Sequence, residues 1–389
     1  MVSCRKQTTL IERGVFMKSS VLVSKRNYGI DALRILCIFM VLALHILGLG
    51  GIADKTSFPE PRFLTVWSFE SLLYCVMNCY ALITGYVMIQ GKYRYTNLIV
   101  LWLQVVLVSV GGAVLYYFLR PGAIDKVTVL LSAFPVSRRS YWYFSCYFAL
   151  YLLIPLLNRA IHSLNRKQAK VLCILLIAGL SGLTTLLNAD PFSLGGGYCA
   201  LWLMVLYILG ACIRKFDFGA KIRSRVLVIG FFLGALITVG VFALLHLETF
   251  SGLLRVWRKS SLLLHTSPTI LFNSIALLLL FTRLKFRRKW VTKIIGLLSS
   301  LSFGVYILHA HPLISNFFFL DKPFAVFADY PIPMMLLSVL LSAAAMFAVF
   351  GAIEWLRIRL FEALKVKKRL LALEEKHIGN LWSNGEKQS

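Results

Sequence analysis

The amino-acid sequence predicts an all-α protein, a polytopic transmembrane helical bundle of about ten spans with both termini in the cytoplasm. Of the 389 residues, 59% are hydrophobic, whereas a soluble domain is roughly half apolar. The apolar residues form blocks of about 20, the length that crosses a bilayer core. They do not alternate with polar residues as barrel strands do. Lys and Arg collect in every second loop, as in helical membrane proteins.

Ten apolar blocks follow one another along the chain, and each is interpreted as one span. The predicted bounds are 30–51, 66–90, 98–119, 141–158, 169–187, 198–213, 226–246, 262–281, 294–315 and 332–356. With the N-terminus inside, about three-quarters of the 42 Lys and Arg residues fall in cytoplasmic segments, which satisfies the positive-inside rule. The same bias explains the net charge of +26. Such a charge would indicate nucleic-acid binding in a soluble protein, but no nucleic-acid partner is predicted here.

The chain divides into three predicted parts. Residues 1–27 form a basic cytoplasmic tail, in which Met17 is a second candidate start. Residues 28–360 form the membrane domain, and residues 361–389 a basic cytoplasmic tail. The amphipathic helix of this second tail is expected to lie on the anionic inner leaflet, so membrane lipids are predicted partners. The eight cysteines have no metal-ligand spacing, and no metal site is predicted.

The first span carries two ionisable residues on one face. Arg34 and His45 are eleven positions apart, which is three helical turns plus about 20°, or roughly 16 Å along the axis. Ionisable groups inside a membrane are costly and usually face a cavity or a partner. Arg34 and His45 are therefore candidate functional residues.

Other polar residues of the spans have structural explanations beside functional ones. Asp31 can form an ion pair with Arg34 three positions along the helix. Asn78 and Gln104 are expected to hydrogen-bond between helices. Glu70, near the outer end of the second span, is either a rim residue in water or a partner for a functional group.

Two segments place aromatic and imidazole groups near the outer ends of spans. Trp142 and Tyr143 begin the fourth span, where they form either an interfacial aromatic belt or a platform for a sugar. His309 and His311 lie near the outer end of the ninth span. Because residues two apart on a helix point to different faces, one imidazole is expected inside the bundle and the other at its rim.

The spacing of Arg34 and His45 resembles the RX10H pattern in the first helix of the acyltransferase 3 family. The surrounding stretch, GIDALRILCIFMVLALH, is similar to the opening of that family. Three later segments agree in order and position, and the resemblance extends from about residue 26 to about residue 360. They are NCYALITGYVMI (78–89), YWYFSCYFALYLLIPLLN (141–158) and LSFGVYILHAHPL (301–313).

The resemblance implies an integral membrane O-acyltransferase of the bacterial plasma membrane. Its donor would be an acyl-CoA, usually acetyl-CoA as a co-substrate with no bound cofactor, although succinyl or longer groups remain open. Its acceptor would be a hydroxyl of a cell-surface polysaccharide or a lipid-linked sugar. The family often has a basic RxxR motif at the start of the third helix. This chain departs from that pattern, because the same place reads GKYRYTNLI and has no RxxR. Its basic residues Lys92 and Arg94 are candidate cofactor-binding residues together with Arg34.

Acyl transfer requires a base for the acceptor hydroxyl and stabilisation of the oxyanion. His45, the only imidazole expected at mid-span, is the predicted base, and either direct attack or an acyl-His45 intermediate is possible. Arg34 is predicted to bind the phosphates of CoA or to line the channel for its pantetheine arm, and Glu70 to orient His45. The predicted acceptor-binding residues are Trp142, Tyr143 and His309.

Three alternative functions remain open at this point. A flippase or exporter of lipid-linked sugar or polysaccharide would have a large basic cavity, but few cationic residues are predicted at mid-membrane. A glycan polymerase would have prominent basic motifs in large outer loops, which are sparse here. If the protein were a sensor or scaffold, the alignment of Arg34 and His45 on one helix face would be a coincidence.

Overall fold

A computed structural model describes residues 26–247, 262–319 and 321–379. Within these ranges the regular elements are all helical, so the all-α prediction is confirmed. The α-helices are α1 (Tyr28–Leu47), α2 (Pro61–Leu73), α3 (Val76–Met88), α4 (Tyr95–Leu119), α5 (Lys126–Leu131), α6 (Trp142–Ser163), α7 (Arg166–Leu176), α8 (Thr184–Leu187), α9 (Ala200–Phe216), α10 (Ser224–Leu244), α11 (Pro268–Thr282), α12 (Lys289–His309), α13 (Pro312–Phe319), α14 (Ile332–Ala363) and α15 (Val366–His377). A π-helix (Ile177–Leu183) joins α7 to α8, and 3₁₀ turns lie at Ala53–Lys55, Gly195–Gly197 and Ala325–Asp329.

Eight helical segments in the described residues are long and apolar enough to cross a membrane. The helix α11 is also apolar but has 15 residues. Each of the ten predicted blocks coincides with one of the helices or helix pairs. The polytopic helical bundle is therefore confirmed. Residues 1–25, including Met17, and residues 380–389 of the predicted tails lie outside the described residues.

Some predicted span limits are wrong, and a glycine-containing turn or a proline accounts for two of the differences. The first helix ends at Leu47 rather than at Gly51, which has a φ of +88° in the turn that follows. The ninth span ends at His309 because Pro312 begins a new helix, and a residue before proline avoids the helical conformation. The fourth span continues through Pro155 as far as Ser163, beyond its predicted end at residue 158.

The helix α1 lies at the centre of the bundle. It packs against α2, α3, α11, α12 and α14, and more than half of its residues are buried. Because protein surrounds most of this helix, polar side chains on it meet other helices rather than lipid. The central position of α1 explains how Arg34 and His45 come to face cavities and partners inside the protein.

Close helix packing depends on glycines. On α10, a Cβ at Gly230 would overlap the ring of Phe272, and a Cβ at Gly234 would overlap the Oδ1 of Asn273, both on the neighbouring helix α11. A second close contact of this kind joins α3 to α9. A Cβ at Gly85 would overlap the carbonyl oxygen of Tyr207.

The substitution Gly85→Ala is expected to destabilise the bundle by about 1–3 kcal/mol, because overpacking a close contact forces the backbones apart. The measurement is the melting temperature of the purified protein in detergent. Gly111→Ala is the matched control, since nothing lies within 4 Å of a Cβ at Gly111 in the helix α4. Equal melting temperatures for the two variants would contradict this account of the α3–α9 contact.

The C-terminal helix α15 is docked on the protein by hydrogen bonds to the start of α4. The Glu374 carboxylate accepts hydrogen bonds from the backbone N–H groups of Tyr95 (3.0 Å) and Thr96 (2.9 Å), and Arg94 pairs with Glu375 at 3.3 Å. Burial opposes ionisation of Glu374, but the hydrogen bonds from Thr96 and Tyr95 and the charge of Arg94 outweigh it and lower the pKa of Glu374. The tail helix, expected on the lipid surface, thus has a protein docking site as well.

Candidate functional site

Two imidazoles from distant parts of the chain meet at the ends of α1 and α12. His45 lies in the last turn of α1, and His309 is the last residue of α12. The Nδ1 atom of His45 is 3.1 Å from the Nε2 atom of His309, and the ring centroids are 5.0 Å apart. His45 is half-buried, whereas His309 is 1% exposed. The pair therefore has an accessible member and a buried member behind it.

Hydrogen bonding determines which nitrogen of the pair is basic. The Nδ1 atom of His309 is 2.9 Å from the carbonyl oxygen of Val305, and a carbonyl only accepts, so this Nδ1 carries the proton. In a neutral His309 the Nε2 atom is then an acceptor, and it receives the Nδ1–H of His45. The proton on Nδ1 of His45 leaves its Nε2 with a lone pair. This is the arrangement of a base whose tautomer is set by a second group.

The prediction that one of His309 and His311 faces the interior and the other the rim is wrong. Both are buried, His311 being 2% exposed. The Nε2 atom of His311 lies 3.1 Å from the carbonyl oxygen of Ser109 on α4. The two imidazoles contact different helices, as their spacing predicts, but both are enclosed by protein because Ser109 and Gly112 of α4 lie against the ring of His311.

Glu70 lies near this site without touching His45. No hydrogen bond joins the two side chains, and among the described residues no hydrogen bond or ion pair reaches the Glu70 carboxylate. The carboxylate is next to Gly48, one turn beyond His45, where a Cβ would be 3.5 Å from Oε1 of Glu70. His309 rather than Glu70 therefore contacts His45 directly.

Arg34 is held by a carboxylate at the opposite end of α1. The predicted pair with Asp31 is present, with Nη1 of Arg34 2.9 Å from Oδ1. Asp31 also accepts from Nε of Arg26 (2.6 Å) and from Oγ of Ser299 on α12 (3.2 Å). Asp31 is 2% exposed, whereas a third of the Arg34 side chain remains accessible. Arg34 is thus oriented by a buried partner and still free to contact a ligand.

A basic cavity of about 970 Å³ opens at this end of the bundle. Among the described residues, its lining includes one carboxylate, that of Asp31, and several cations contributed by different helices and loops. The cations are Arg26, Arg34, Arg214, Lys285 and Arg287. Clustered guanidinium and ammonium groups of this kind bind phosphate well.

Arg214, in the last turn of α9, is held at the cavity by two hydrogen bonds. Its Nε donates to Oε1 of Gln90 at 3.0 Å, and its Nη1 donates to the hydroxyl of Tyr86 at 2.9 Å. The predicted cofactor-binding residues Lys92 and Arg94 are not among the residues that line the cavity, although the neighbouring Gly91 is.

A second cavity of about 300 Å³ continues from the first into the bundle. We call it the tyrosine cavity, because Tyr80, Tyr143, Tyr147 and Tyr306 line it. The two cavities have Arg26, Asp31 and Arg34 in common. The tyrosine cavity therefore begins where Arg34 is held.

A row of aromatic rings leads from the tyrosine cavity to the imidazole pair. Tyr80 lies 6.2 Å from Tyr143, Tyr143 lies 6.1 Å from Tyr306, and Tyr306 lies 6.0 Å from His309, all between ring centroids. Tyr80 also donates its hydroxyl to the carbonyl oxygen of Arg34 at 3.3 Å. The rings thus connect the level of Arg34 with the level of His45.

The two aromatic residues that begin α6 face different surroundings. Tyr143 lines the tyrosine cavity, but Trp142 does not. The Trp142 ring packs against Tyr198, 4.5 Å away, and stacks on the buried His265 at 6.2 Å. The predicted pair of acceptor-binding residues is therefore divided between two sites.

Sequence reasoning missed several residues that the fold brings into the site. The sequence marked three of them, Arg214, Lys285 and Arg287, only as members of basic loop segments. It distinguished Tyr80 and Tyr306 only as aromatic residues. Within the described ranges, no group of three or more His, Cys, Asp or Glu side chains is arranged to hold a metal.

A family model described as an acyltransferase domain, that of acyltransferase 3, matches residues 27–355. The chain belongs to the acyltransferase 3 family. Because the match covers most of the chain and the helices are long enough to cross a bilayer, the protein is a multi-pass membrane acyltransferase. Its partners are an acyl donor, an acceptor and membrane lipids. Neither a curated protein nor a solved structure matches this acyltransferase significantly.

Proposed function

We propose that this acyltransferase moves an acetyl group from acetyl-CoA to a hydroxyl of a cell-surface polysaccharide or a lipid-linked sugar. One observation carries the proposal. A basic cavity at one end of the bundle shares Arg26, Asp31 and Arg34 with the tyrosine cavity, and a row of aromatic rings leads from the tyrosine cavity to the His45–His309 pair. This layout suits a donor with a phosphorylated end and a reactive thioester at the end of a flexible arm.

The charge bias of the loops supports the orientation. We assign ten spans, with both termini in the cytoplasm of a bacterial cell and the bundle in its plasma membrane. The basic cavity then opens to the cytoplasm, where acetyl-CoA is available. The His45–His309 pair lies towards the outer half of the membrane, nearer to a surface glycan.

The phosphates of CoA would bind the cations of the basic cavity, with Arg34 at its inner end. Lys92 and Arg94, beside the lining residue Gly91, would add attraction at longer range. The arm from the phosphate to the sulfur of CoA has about thirteen bonds and extends to roughly 15 Å, since three chain bonds advance about 3.5 Å. This length is close to the roughly 16 Å that separate Arg34 from His45 along α1.

His45 would act as general base through Nε2. As the acceptor hydroxyl attacks the thioester carbonyl, its proton passes to Nε2 and a new C–O bond forms. The C–S bond then breaks, and the leaving thiolate takes the proton from the imidazolium to give CoA. His309 would hold the tautomer that leaves Nε2 of His45 basic. The Glu70 carboxylate, one turn beyond His45, would stabilise the imidazolium by its charge.

The acceptor would approach from the other side of the imidazole pair. Trp142 is half-buried, and Tyr198 beside it is 41% exposed. Aromatic rings with exposed faces stack on the apolar faces of sugars, which supports a glycan as acceptor. Direct attack by this acceptor needs no covalent intermediate.

The proposed function is tested by acetyl-ester content and by transfer of label. Surface glycans from a deletion strain should lack esters that return on complementation. Membranes containing the protein should move label from [¹⁴C]acetyl-CoA to glycan or lipid-linked sugar, and membranes from the deletion strain should not. Unchanged ester content together with lost glycan export would contradict the proposal and favour the exporter function.

A further inference from the structure

The hydroxyl of Tyr143 is a buried polar group without a partner. The residue is 7% exposed, and no hydrogen bond reaches its Oη from any other residue that the structure describes. A hydroxyl withdrawn from water without a hydrogen bond costs free energy. Tyr143 also lines the tyrosine cavity, so a ligand in that cavity could satisfy the hydroxyl.

Neighbouring polar groups of the same cavity are used within the protein. Tyr80 donates its hydroxyl to the carbonyl oxygen of Arg34, and Ser299 donates to Asp31 at 3.2 Å. These two hydroxyl groups donate to Arg34 and Asp31, so their hydrogens are not available to a ligand in the cavity. Tyr143, further along the row of rings, keeps a donor available.

The position of Tyr143 determines which part of a donor it would meet. Its ring is next to that of Tyr306, which in turn adjoins His309. The ring of Tyr143 is therefore two ring spacings from the imidazole pair. In an acyl-CoA whose thioester lies at His45, the carbonyl oxygen of the amide nearest the sulfur is up to roughly 6 Å from that sulfur. A tyrosine hydroxyl reaches a hydrogen-bonded oxygen about 5.5 Å from its ring centre, so the two distances together match the two ring spacings. An amide in an otherwise largely apolar cavity needs a hydrogen-bond partner.

We propose that the hydroxyl of Tyr143 donates a hydrogen bond to the carbonyl oxygen of the pantetheine amide nearest the thioester. This inference rests on the proposed function, since it requires an acyl-CoA donor. It makes Tyr143 a donor-binding residue of the tyrosine cavity rather than part of a platform for the acceptor sugar. No covalent step is involved, because the hydroxyl only binds and positions the arm.

The test compares two substitutions that each remove one buried tyrosine hydroxyl. Tyr143→Phe should raise the KM for acetyl-CoA about five- to tenfold and change kcat less than about twofold, since one hydrogen bond to the donor is lost. Tyr141→Phe is the matched control. Tyr141 is also a buried tyrosine, 2% exposed, but it lines neither cavity. Its KM should equal that of the unchanged protein.

A pair of small donors identifies the amide as the group recognised. S-acetyl-N-acetylcysteamine retains the amide, and S-pentyl thioacetate replaces it with methylene groups. The unchanged protein and Tyr141→Phe should prefer the first about tenfold, in kcat/KM or in Ki against acetyl-CoA. Tyr143→Phe should lose most of this preference.

The inference would be overturned if Tyr143→Phe preferred S-acetyl-N-acetylcysteamine over S-pentyl thioacetate as strongly as the unchanged protein does. It would also be overturned if Tyr141→Phe lost this preference to the same extent as Tyr143→Phe. Failure of the unchanged protein to use acetyl-CoA would instead refute the proposed function. The two failures are therefore distinguishable in one set of assays.

Discussion

Membranes that carry His45→Ala are expected to transfer acetyl from labelled acetyl-CoA about 10²- to 10⁴-fold more slowly than membranes with the unchanged protein. A positioned general base contributes a factor of this size. The loss should fall on kcat, because in the proposed mechanism the Nε2 of His45 would contact the acceptor hydroxyl rather than the phosphates of the donor. The measurement is initial rate against acetyl-CoA concentration, normalised to the amount of protein.

A histidine outside the site controls for this substitution. His162→Ala removes an exposed imidazole whose Nε2 is 3.1 Å from the carbonyl oxygen of Ile89 and which lines neither cavity. Its rate should remain within about twofold, as surface substitutions are usually mild. Undiminished transfer by His45→Ala would remove His45 from the mechanism. Label retained on the unchanged protein without acceptor, and absent from His45→Ala, would favour an acyl-His45 intermediate over direct attack.

His309→Ala is expected to reduce kcat about 100-fold while His45 remains in place. His309 contacts Nδ1 of His45 at 3.1 Å, and removal of the group that sets the tautomer of a catalytic base costs a large part of its effect. His309→Gln should recover part of the rate, because its side-chain carbonyl can still accept the Nδ1–H of His45. The KM for acetyl-CoA should change little in both variants.

The neighbouring His311 provides the matched comparison for His309. It is equally buried, but its ring hydrogen-bonds to the carbonyl oxygen of Ser109. His311→Ala should therefore lower the rate by less than about threefold once protein levels are equalised, or else reduce the amount of folded protein. If His309→Ala and His311→Ala lower kcat equally, His309 has only a packing role.

The amino-acid sequence by itself determined the helical class, the approximate positions of the apolar blocks and the alignment of Arg34 with His45. These features are local, because they follow from the length of a bilayer core and from the 3.6-residue period of a helix. The Asp31–Arg34 pair is local in the same sense. Where a prediction of this kind was wrong, as at the end of α12, a proline close in sequence decided the outcome.

Only the tertiary structure decided which groups meet. His309 is separated from His45 by 264 positions, and its contact depends on how α12 is rotated and tilted against α1. The same holds for Arg214, which reaches the basic cavity from α9, and for Tyr143, which turns into the tyrosine cavity while Trp142 turns away. Helix periodicity specifies the face on which a side chain lies. The neighbour that this face meets is decided by packing between helices, to which close approaches such as that at Gly85 contribute.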